Sequence, residues 1–415
     1  RGCVRGLDSL RMNLSELTTL RVGGAARTVL SPATRDELID AVRGVWAEDD
    51  DLLILGGGSN VLVGDDDFDG TVVRVLTRGI EQITAEGAAA SSSNSETTSG
   101  ATSGATSGAT VRIHVQAGEP WDDLVAYAVE NRLAGIEALS GIPGSTGAAP
   151  IQNIGAYGQE LADSLVAIEF LDFLSGDVER IPAGELGLGY RASILKGDRD
   201  GLVVSIELDL VADDAGLSQP VAYAQLASAL GVSLGDRVAI ADVRETVLRL
   251  RASKGMLLDD NDPDSVSAGS FFTNPIVRQS FARDLPADAP RWPIAPEPES
   301  VSVPLEDQPL DTVLSALGSV AVAPAVANAA SSRATTEPLV KLSAAWLIEH
   351  AGIRRGFALP GSRAAVSSKH TLALTNRGGA TATEISELAR YIQTRVLSEF
   401  GVRLHPEPVL VGVAF

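Results

Sequence analysis

The amino-acid sequence predicts an α+β chain of two or three domains with mixed sheets. Three observations carry this expectation. The chain has 415 residues, and a domain takes roughly 150. Short β-branched runs alternate with segments of helical periodicity. Composition is ordinary for a globular protein, 45% hydrophobic and 21% charged, which fits neither wholesale disorder nor a membrane protein.

The elements follow in order. Residues 34–46 place apolar side chains at helical spacing and lead into the apolar strand 52–55 and a glycine cluster, a β-α-β pattern with a loop at the strand end. Residues 70–76 and 111–116 are β-branched runs expected to pair as neighbouring strands. Between them, 87–110 is almost entirely Ala, Ser, Thr and Gly, and is expected to be a flexible insert at the hairpin tip. A helix is expected over 121–131, strands over 168–174 and 202–210, and a helix over 241–253 with Val243, Val247 and Leu250 on one face. Residues 278–340, rich in Pro, Ala and acids with a short helical pattern at 310–317, read as a surface excursion. Helices over 342–350 and 383–400, the latter with Ile385, Leu388, Ile392 and Val396 in register, precede a last strand over 409–415.

Charge narrows the function classes. Lys and Arg number 33 against 54 Asp and Glu, a net charge of −21, which opposes nonspecific nucleic-acid binding because phosphates are repelled. An anionic ligand must then be held by locally placed groups. Only four of the cations are Lys (Lys196, Lys254, Lys341 and Lys369). The single cysteine, Cys3, excludes an intramolecular disulfide framework, and four scattered His residues predict no metal site. The N-terminal residues lack the pattern of a secretory signal, and the most apolar window, 313–330, is Ala-rich and contains Pro324, too weak for a membrane span. A cytoplasmic, monomeric protein is expected.

Two glycine-rich segments are candidate ligand loops. Leu55-Gly-Gly-Gly-Ser-Asn-Val61 follows a strand, yet Val61 stands where a dinucleotide fingerprint needs glycine, and no Lys-Ser/Thr pair follows to make a phosphate loop. The second segment runs from Gly141 to Gly158, and Pro143 stands where a nucleophile elbow needs glycine. Such segments can expose backbone N–H groups as an anion nest, with Ser59, Ser145 and Thr146 adding hydroxyls for a diphosphate. Each can equally be an ordinary tight turn.

The strings Ile54-Leu-Gly-Gly-Gly-Ser-Asn-Val-Leu62, Ile142-Pro-Gly-Ser-Thr-Gly-Ala-Ala-Pro-Ile-Gln-Asn-Ile-Gly-Ala-Tyr-Gly158 and Gly189-Tyr-Arg-Ala-Ser-Ile-Leu-Lys196 resemble the UDP-N-acetylenolpyruvoylglucosamine reductase family of peptidoglycan synthesis. Ala268-Gly-Ser-Phe-Phe-Thr-Asn-Pro275, Ser343-Ala-Ala-Trp-Leu-Ile-Glu349, Ser368-Lys-His-Thr-Leu-Ala-Leu-Thr-Asn376 and Pro406-Glu407 extend the likeness from Thr19 to the C-terminus. The resemblance implies an FAD-binding fold of the vanillyl-alcohol-oxidase type in two subdomains, 1–80 (to which 401–415 returns) and 81–235, followed by an α+β substrate-binding domain, 236–400. It implies that NADPH reduces a noncovalent FAD, which reduces the enolpyruvyl ether of UDP-N-acetylglucosamine to UDP-N-acetylmuramate.

By position in the family motifs, Leu55, Gly56, Gly57, Gly58, Ser59 and Asn60 would line the FAD, as would Pro143, Gly144, Ser145, Thr146 and Gly147. Ile151, Asn153, Ile154, Gly155, Tyr157 and Arg251 complete that expected set. Arg191 would grip the substrate carboxylate, a fork geometry that stays charged at any working pH. Ser270 would donate the proton to the carbanionic carbon, a role open to a weak acid only beside a strong base. Glu407 would stand beside the substrate carboxylate and be protonated during turnover. Tyr190, Tyr223, Lys254, Asn274 and His370 would contact substrate, with Tyr223 on a mobile loop found in one subgroup. Two other readings stay open: a flavin-dependent sugar or alcohol oxidase of the same fold, and a noncatalytic nucleotide-sugar binding protein.

Overall fold

A computed structural model describes residues 10–83, 108–294 and 337–414. Two units are distinguished, one of residues 1–273 with 347–415, the other of 274–346.

The larger unit begins with a four-stranded sheet in the order Leu10–Asn13, Ala25–Leu30, Phe68–Arg74, Leu52–Leu55. The first pair is antiparallel and the other two are parallel. The helix Arg35–Ala47 makes the crossover. Its start is set by Thr34, whose side chain accepts the Glu37 N–H while Glu37 reaches back, a capping box. Leu38, Ile39, Val42 and Val45 form its buried face and pack with Val73 of the first sheet and with Leu171, Leu202 and Val204 of a second. One helix thus fills the space between two sheets.

The second sheet has six strands, five of them in the order Val178–Pro182, Leu165–Asp172, Gly201–Ala212, Ala109–Gln116, Ile80–Ile83, all antiparallel. Leu133–Ala134 pairs with the end of Gly201–Ala212. The helix Trp121–Glu130 covers one face, burying Trp121, Leu124, Val125 and Ala128 against Ile113, Phe170 and Ile206. The Trp121 indole N–H donates to Leu139 O at 3.1 Å, so the largest core side chain brings its one polar group to a partner.

The expected pairing of 70–76 with 111–116 does not occur. Phe68–Arg74 is buried in the parallel sheet, and Ala109–Gln116 pairs instead with the short polar strand Ile80–Ile83. The β-branched pattern marks a strand without naming its partner, and Phe68–Arg74, buried on both faces over its centre, suits a parallel sheet. The insert 87–110 does connect antiparallel neighbours, but almost all of it lies outside the described residues.

Downstream, the helix Ile240–Ser253 leads to a three-stranded sheet in the order Ser267–Ser270, Ala373–Asn376, Ala364–Val366. The helix Ala382–Phe400, with a second capping box at Thr381 and a left-handed glycine, Gly401, at its end, buries Ile385, Leu388, Ile392 and Val396. The last strand is Val409–Val411 and pairs in parallel with Val61–Val63, directly after the first glycine loop.

The smaller unit holds an antiparallel sheet in the order Ile276–Arg278, Leu339–Leu342, Arg291–Pro293, with the helix Gln279–Arg283. The ends of the expected excursion are therefore regular structure; the helical pattern at 310–317 lies outside the described residues. Leu342 ends a strand, and the helix expected from it begins at Ala344. Among the described residues no helix is long and apolar enough to cross a membrane.

Because Arg35–Ala47 packs against both large sheets, its core face outweighs its cap. Leu38→Ala is expected to lower stability by about 2–5 kcal/mol and Thr34→Ala by about 1 kcal/mol, read as displaced chemical-denaturation midpoints.

Candidate active site and cofactor cleft

The two glycine segments meet backbone to backbone. A Cβ at Gly57 would stand 2.7 Å from Gly144 Cα, and one at Gly56 would collide with Ser145 Oγ. Gly58, with φ of 61°, lies so close to the Leu17 carbonyl that only glycine fits. Three loops therefore converge, and hydrogen bonds hold them: Ser59 Oγ donates to Pro143 O at 2.9 Å, and Thr19 N–H to Gly58 O at 3.0 Å. Thr146 directs its hydroxyl and its N–H to Glu119 O, and the Gly147 N–H goes to Ala117 O. The hydroxyls of Ser59 and Thr146, expected to face a diphosphate, join loop to loop instead.

Beside this junction lies a cleft of about 450 Å³ lined by Gly56, Gly57, Gly144 and Ser145, together with Thr18, Thr19, Arg21, Arg74, Arg78, Gly118 and the 258–260 loop. Among the described residues, the N–H groups of Gly56, Gly57, Gly144 and Ser145 donate to no protein acceptor. Such groups, facing a cleft, are anion donors that require no net positive charge. Arg74 and Arg78 add cations, Arg78 while donating to Gly118 O. The cleft also holds Glu16, Asp259 and Asp260, the last paired with Arg21. Unpartnered N–H groups and nearby cations of this kind can hold an anionic group.

The second segment positions Arg191. Asn153 takes a left-handed backbone, φ 42°, and its buried side chain donates to Glu160 and to Gly189 O at 3.2 Å while accepting the Ala162 N–H at 2.9 Å. Its carboxamide thus pins the loop that carries Tyr190 and Arg191. Arg191, itself at φ 55°, donates from Nη2 to Gly155 O at 3.0 Å, and its guanidinium lies 5.7 Å from the Tyr190 ring. Ile151 O accepts the Ser193 hydroxyl, tying the same two loops again. Ile154 packs on the core beneath, and the buried Leu55 ends its strand at the first loop.

Glu407 comes from the far end of the chain. Arg191 Nε lies 2.9 Å from its Oε1 without the alignment of a hydrogen bond, an ion-pair contact. Its N–H donates to Phe271 O at 2.9 Å, and its carbonyl accepts from Asn60 Nδ2 and Gln152 Nε2, both at 3.4 Å. Burial pushes the Glu407 carboxyl above the usual carboxylate range, against the opposing pull of Arg191 and Lys196. Ser270 stands one residue before Phe271. The strand Ser267–Ser270 has an irregular register against Ala373–Asn376, with Gly269 at φ 71° and open space where its Cβ would be. That glycine is required by its backbone conformation alone, as in a bulge that re-aims the next side chain.

A second cluster adjoins the second glycine segment. Tyr157 and Tyr223 meet edge to face, 5.9 Å between centroids, and Lys254 Nζ stands 5.3 Å over the Tyr157 ring while donating to Gln225. Tyr223 is 46% exposed and is thus not a core residue. Arg251 is buried and donates to the carbonyls of Gly141 and Met256, clamping the start of the glycine segment. Burial, then Arg251, lowers the Lys254 ammonium below its ordinary value. Burial, with Lys254 and Arg355 adding to it, brings His370 down to about 4, so its ring is neutral near pH 7. Asn274 belongs to the smaller unit, where its Oδ1 accepts the Ala344 N–H at 3.0 Å. Among the described residues no group of three or more His, Cys, Asp or Glu is placed to hold a metal.

Sequence reasoning passed over several of these residues. Arg74 ends a strand, and Arg78 and Gly118 follow strands, rather than standing in glycine strings. Glu160 and Gln152 are ordinary polar residues whose partners only the fold supplies. Lys196 did carry a signal, as one of four Lys in the chain.

The chain is similar to known proteins over nearly its whole length. A family model for the FAD binding domain matches residues 26–181, and one for the UDP-N-acetylenolpyruvoylglucosamine reductase C-terminal domain matches 262–411. The UDP-N-acetylenolpyruvoylglucosamine reductase of Leifsonia xyli subsp. xyli (strain CTCB07) is 54% identical over 409 residues, 96% of this chain and 98% of that protein. That of Salinispora arenicola (strain CNS-205) is 42% identical over 97% of this chain and 95% of its own length. The crystal structure of UDP-N-acetylenolpyruvylglucosamine reductase (MurB) from Thermus caldophilus has the same fold, with a TM-score of 0.56 at 23% identity, over 98% of this chain and 100% of that one. The chain therefore belongs to the UDP-N-acetylenolpyruvoylglucosamine reductase family and is an FAD-dependent oxidoreductase.

Proposed function

We propose that the protein reduces the enolpyruvyl ether of UDP-N-acetylglucosamine to the lactyl ether, giving UDP-N-acetylmuramate, with NADPH as reductant. The observation that carries this reading is the meeting of Arg191, the Ser270 strand and Glu407, from three distant stretches of chain, around one partly buried ion pair. The names of the relatives point to the same reaction. Within the reading, residues 1–80 and 81–235 hold the cofactor and 236–400 the substrate.

The free N–H groups of the two glycine loops, with Arg74 and Arg78, would hold the FAD diphosphate. When bound and reduced by NADPH, FAD supplies the hydride that goes to the terminal alkene carbon. Negative charge then spreads over the neighbouring carbon and its carboxylate. The Arg191 guanidinium has five N–H donors, and a substrate carboxylate would compete with Glu407 for it. Removing such a preorganised donor costs about 3 kcal/mol, around a hundredfold in rate. Glu407 then loses part of its counter-charge and gains a negative neighbour, and both changes favour its protonated form. A neutral Glu407 donates a hydrogen bond to the carboxylate instead of repelling it. The Ser270 hydroxyl delivers the proton to the carbanionic carbon, completing the saturated product. Tyr223 and Lys254 offer an aromatic face and a cation for the nucleotide end of the substrate.

Anaerobic mixing with NADPH and then with the enolpyruvyl substrate tests the proposal through flavin absorbance. Bleaching followed by recovery with no oxygen present is expected. Recovery only on admitting oxygen would make the protein an oxidase, and no bleaching at all would make it a binding protein. Ser270→Ala is expected to bleach normally with NADPH and to recover about 10²- to 10⁴-fold more slowly on adding substrate; recovery at the wild-type rate would remove Ser270 from the mechanism. The pH profile gives an independent check. An acid whose working form is protonated is active below its raised pKa and loses activity as pH rises through it. Recovery should therefore decline along an alkaline limb lying above the ordinary carboxylate range, and Glu407→Gln should abolish that limb.

A further inference from the structure

Lys196 closes a ring of contacts around the proposed site. Its Nζ lies 3.3 Å from the Arg191 carbonyl oxygen and 3.3 Å from Gln152 Oε1. The Gln152 carboxamide continues the chain by donating from Nε2 to the Glu407 carbonyl at 3.4 Å, and Arg191 Nε returns to the Glu407 carboxylate at 2.9 Å. Each of the four residues touches two others. Arg191 holds a left-handed backbone at φ 55°, a conformation that costs a non-glycine residue about 1–3 kcal/mol and persists where its surroundings over-determine it. The ammonium on its carbonyl is one such constraint. Lys196 is itself exposed, so core packing does not explain where its Nζ reaches.

We propose that Lys196 is a positioning residue of the reductase site: it braces the Arg191 backbone and, through Gln152, the Glu407 segment, so that guanidinium and carboxyl are pre-oriented for the substrate carboxylate. The inference rests on the reductase reading of that pair. Its charge has a second effect. Among the described residues, the charged groups that act on Glu407 are Arg191 and Lys196, while Phe271, Asn60 and Gln152 bring neutral groups from the other segments against it. Both cations favour the carboxylate against burial, so removing Lys196 lets Glu407 hold its proton to higher pH.

Lys196→Met removes the charge and keeps most of the stem, and Lys196→Arg keeps the charge. In anaerobic mixing, Lys196→Met should leave flavin reduction by NADPH within about twofold of wild type. Recovery with the enolpyruvyl substrate should slow about tenfold, the loss expected of one charge-assisted hydrogen bond. The alkaline limb of recovery should move to higher pH and return toward its original position in Lys196→Arg. Carbon-13 titration of the glutamate carboxyls in the holoenzyme, with Glu407→Gln assigning the signal, should show Glu407 titrating at higher pH in Lys196→Met. An unmoved limb together with an unmoved Glu407 titration overturns the proposal. Should the wild-type flavin not recover with substrate at all, the reductase reading fails; the carboxyl titration still reports whether Lys196 acts on Glu407.

Discussion

A guanidinium held against a half-starved carboxyl is the contact on which the rest of this site depends. Glu407 is buried enough that its charge is disfavoured, and Arg191 stands 2.9 Å away to oppose that effect. Neither residue can be placed locally. Arg191 needs a left-handed turn pinned by the Asn153 carboxamide, and Glu407 needs the last segment of the chain to return, pairing Val409–Val411 with Val61–Val63 and hydrogen-bonding to Phe271. The parallel pairing of the final strand, the irregular register at Gly269 and the Gln152 amide all serve one geometric demand: bringing residues near positions 191, 270 and 407 to one place.

The proposed cofactor cleft handles charge differently. The chain carries a net charge of −21 and belongs to a family whose members bind anionic ligands, so bulk attraction works against it. The glycine loops answer with close backbone approach, and among the described residues four N–H groups of cleft-lining residues have no protein acceptor. The tight fit of Gly57 on Gly144 and of Gly58 on Leu17 explains why glycines stand there, independently of any ligand. A side chain at either position would push the loops apart and remove the donors with them.

Much of this was legible in the sequence. Periodicity located the helices that carry the capping boxes at Thr34 and Thr381 and the apolar register of Ala382–Phe400, because a helix is a local structure whose caps and buried face lie within a few turns. Strand partners were not legible: residues 70–76 read as a neighbour of 111–116, whereas burial on both faces assigned them to a parallel sheet. The motifs that resemble the reductase family supplied Arg191, Ser270 and Glu407 as candidates. They could not show that Ser59 and Thr146 bind neighbouring loops, that Asn153 secures Gly189, or that Lys196 and Gln152 link Arg191 to Glu407. Those roles arise from distances between segments, which a linear string does not contain. Arg251 illustrates the same limit, since a cation expected at the cofactor is clamped on the carbonyls of Gly141 and Met256.

The central claim is that Ser270 and Glu407 act together on one enolpyruvyl group, Ser270 on its carbanionic carbon and Glu407 on its carboxylate. A double-mutant cycle on the anaerobic recovery of reduced flavin, using Ser270→Ala and Glu407→Gln singly and combined, tests it most directly. Residues that work as a unit give grossly non-additive losses, so the double variant should be little slower than the worse single one. Losses that multiply, as for independent sites, would contradict the account.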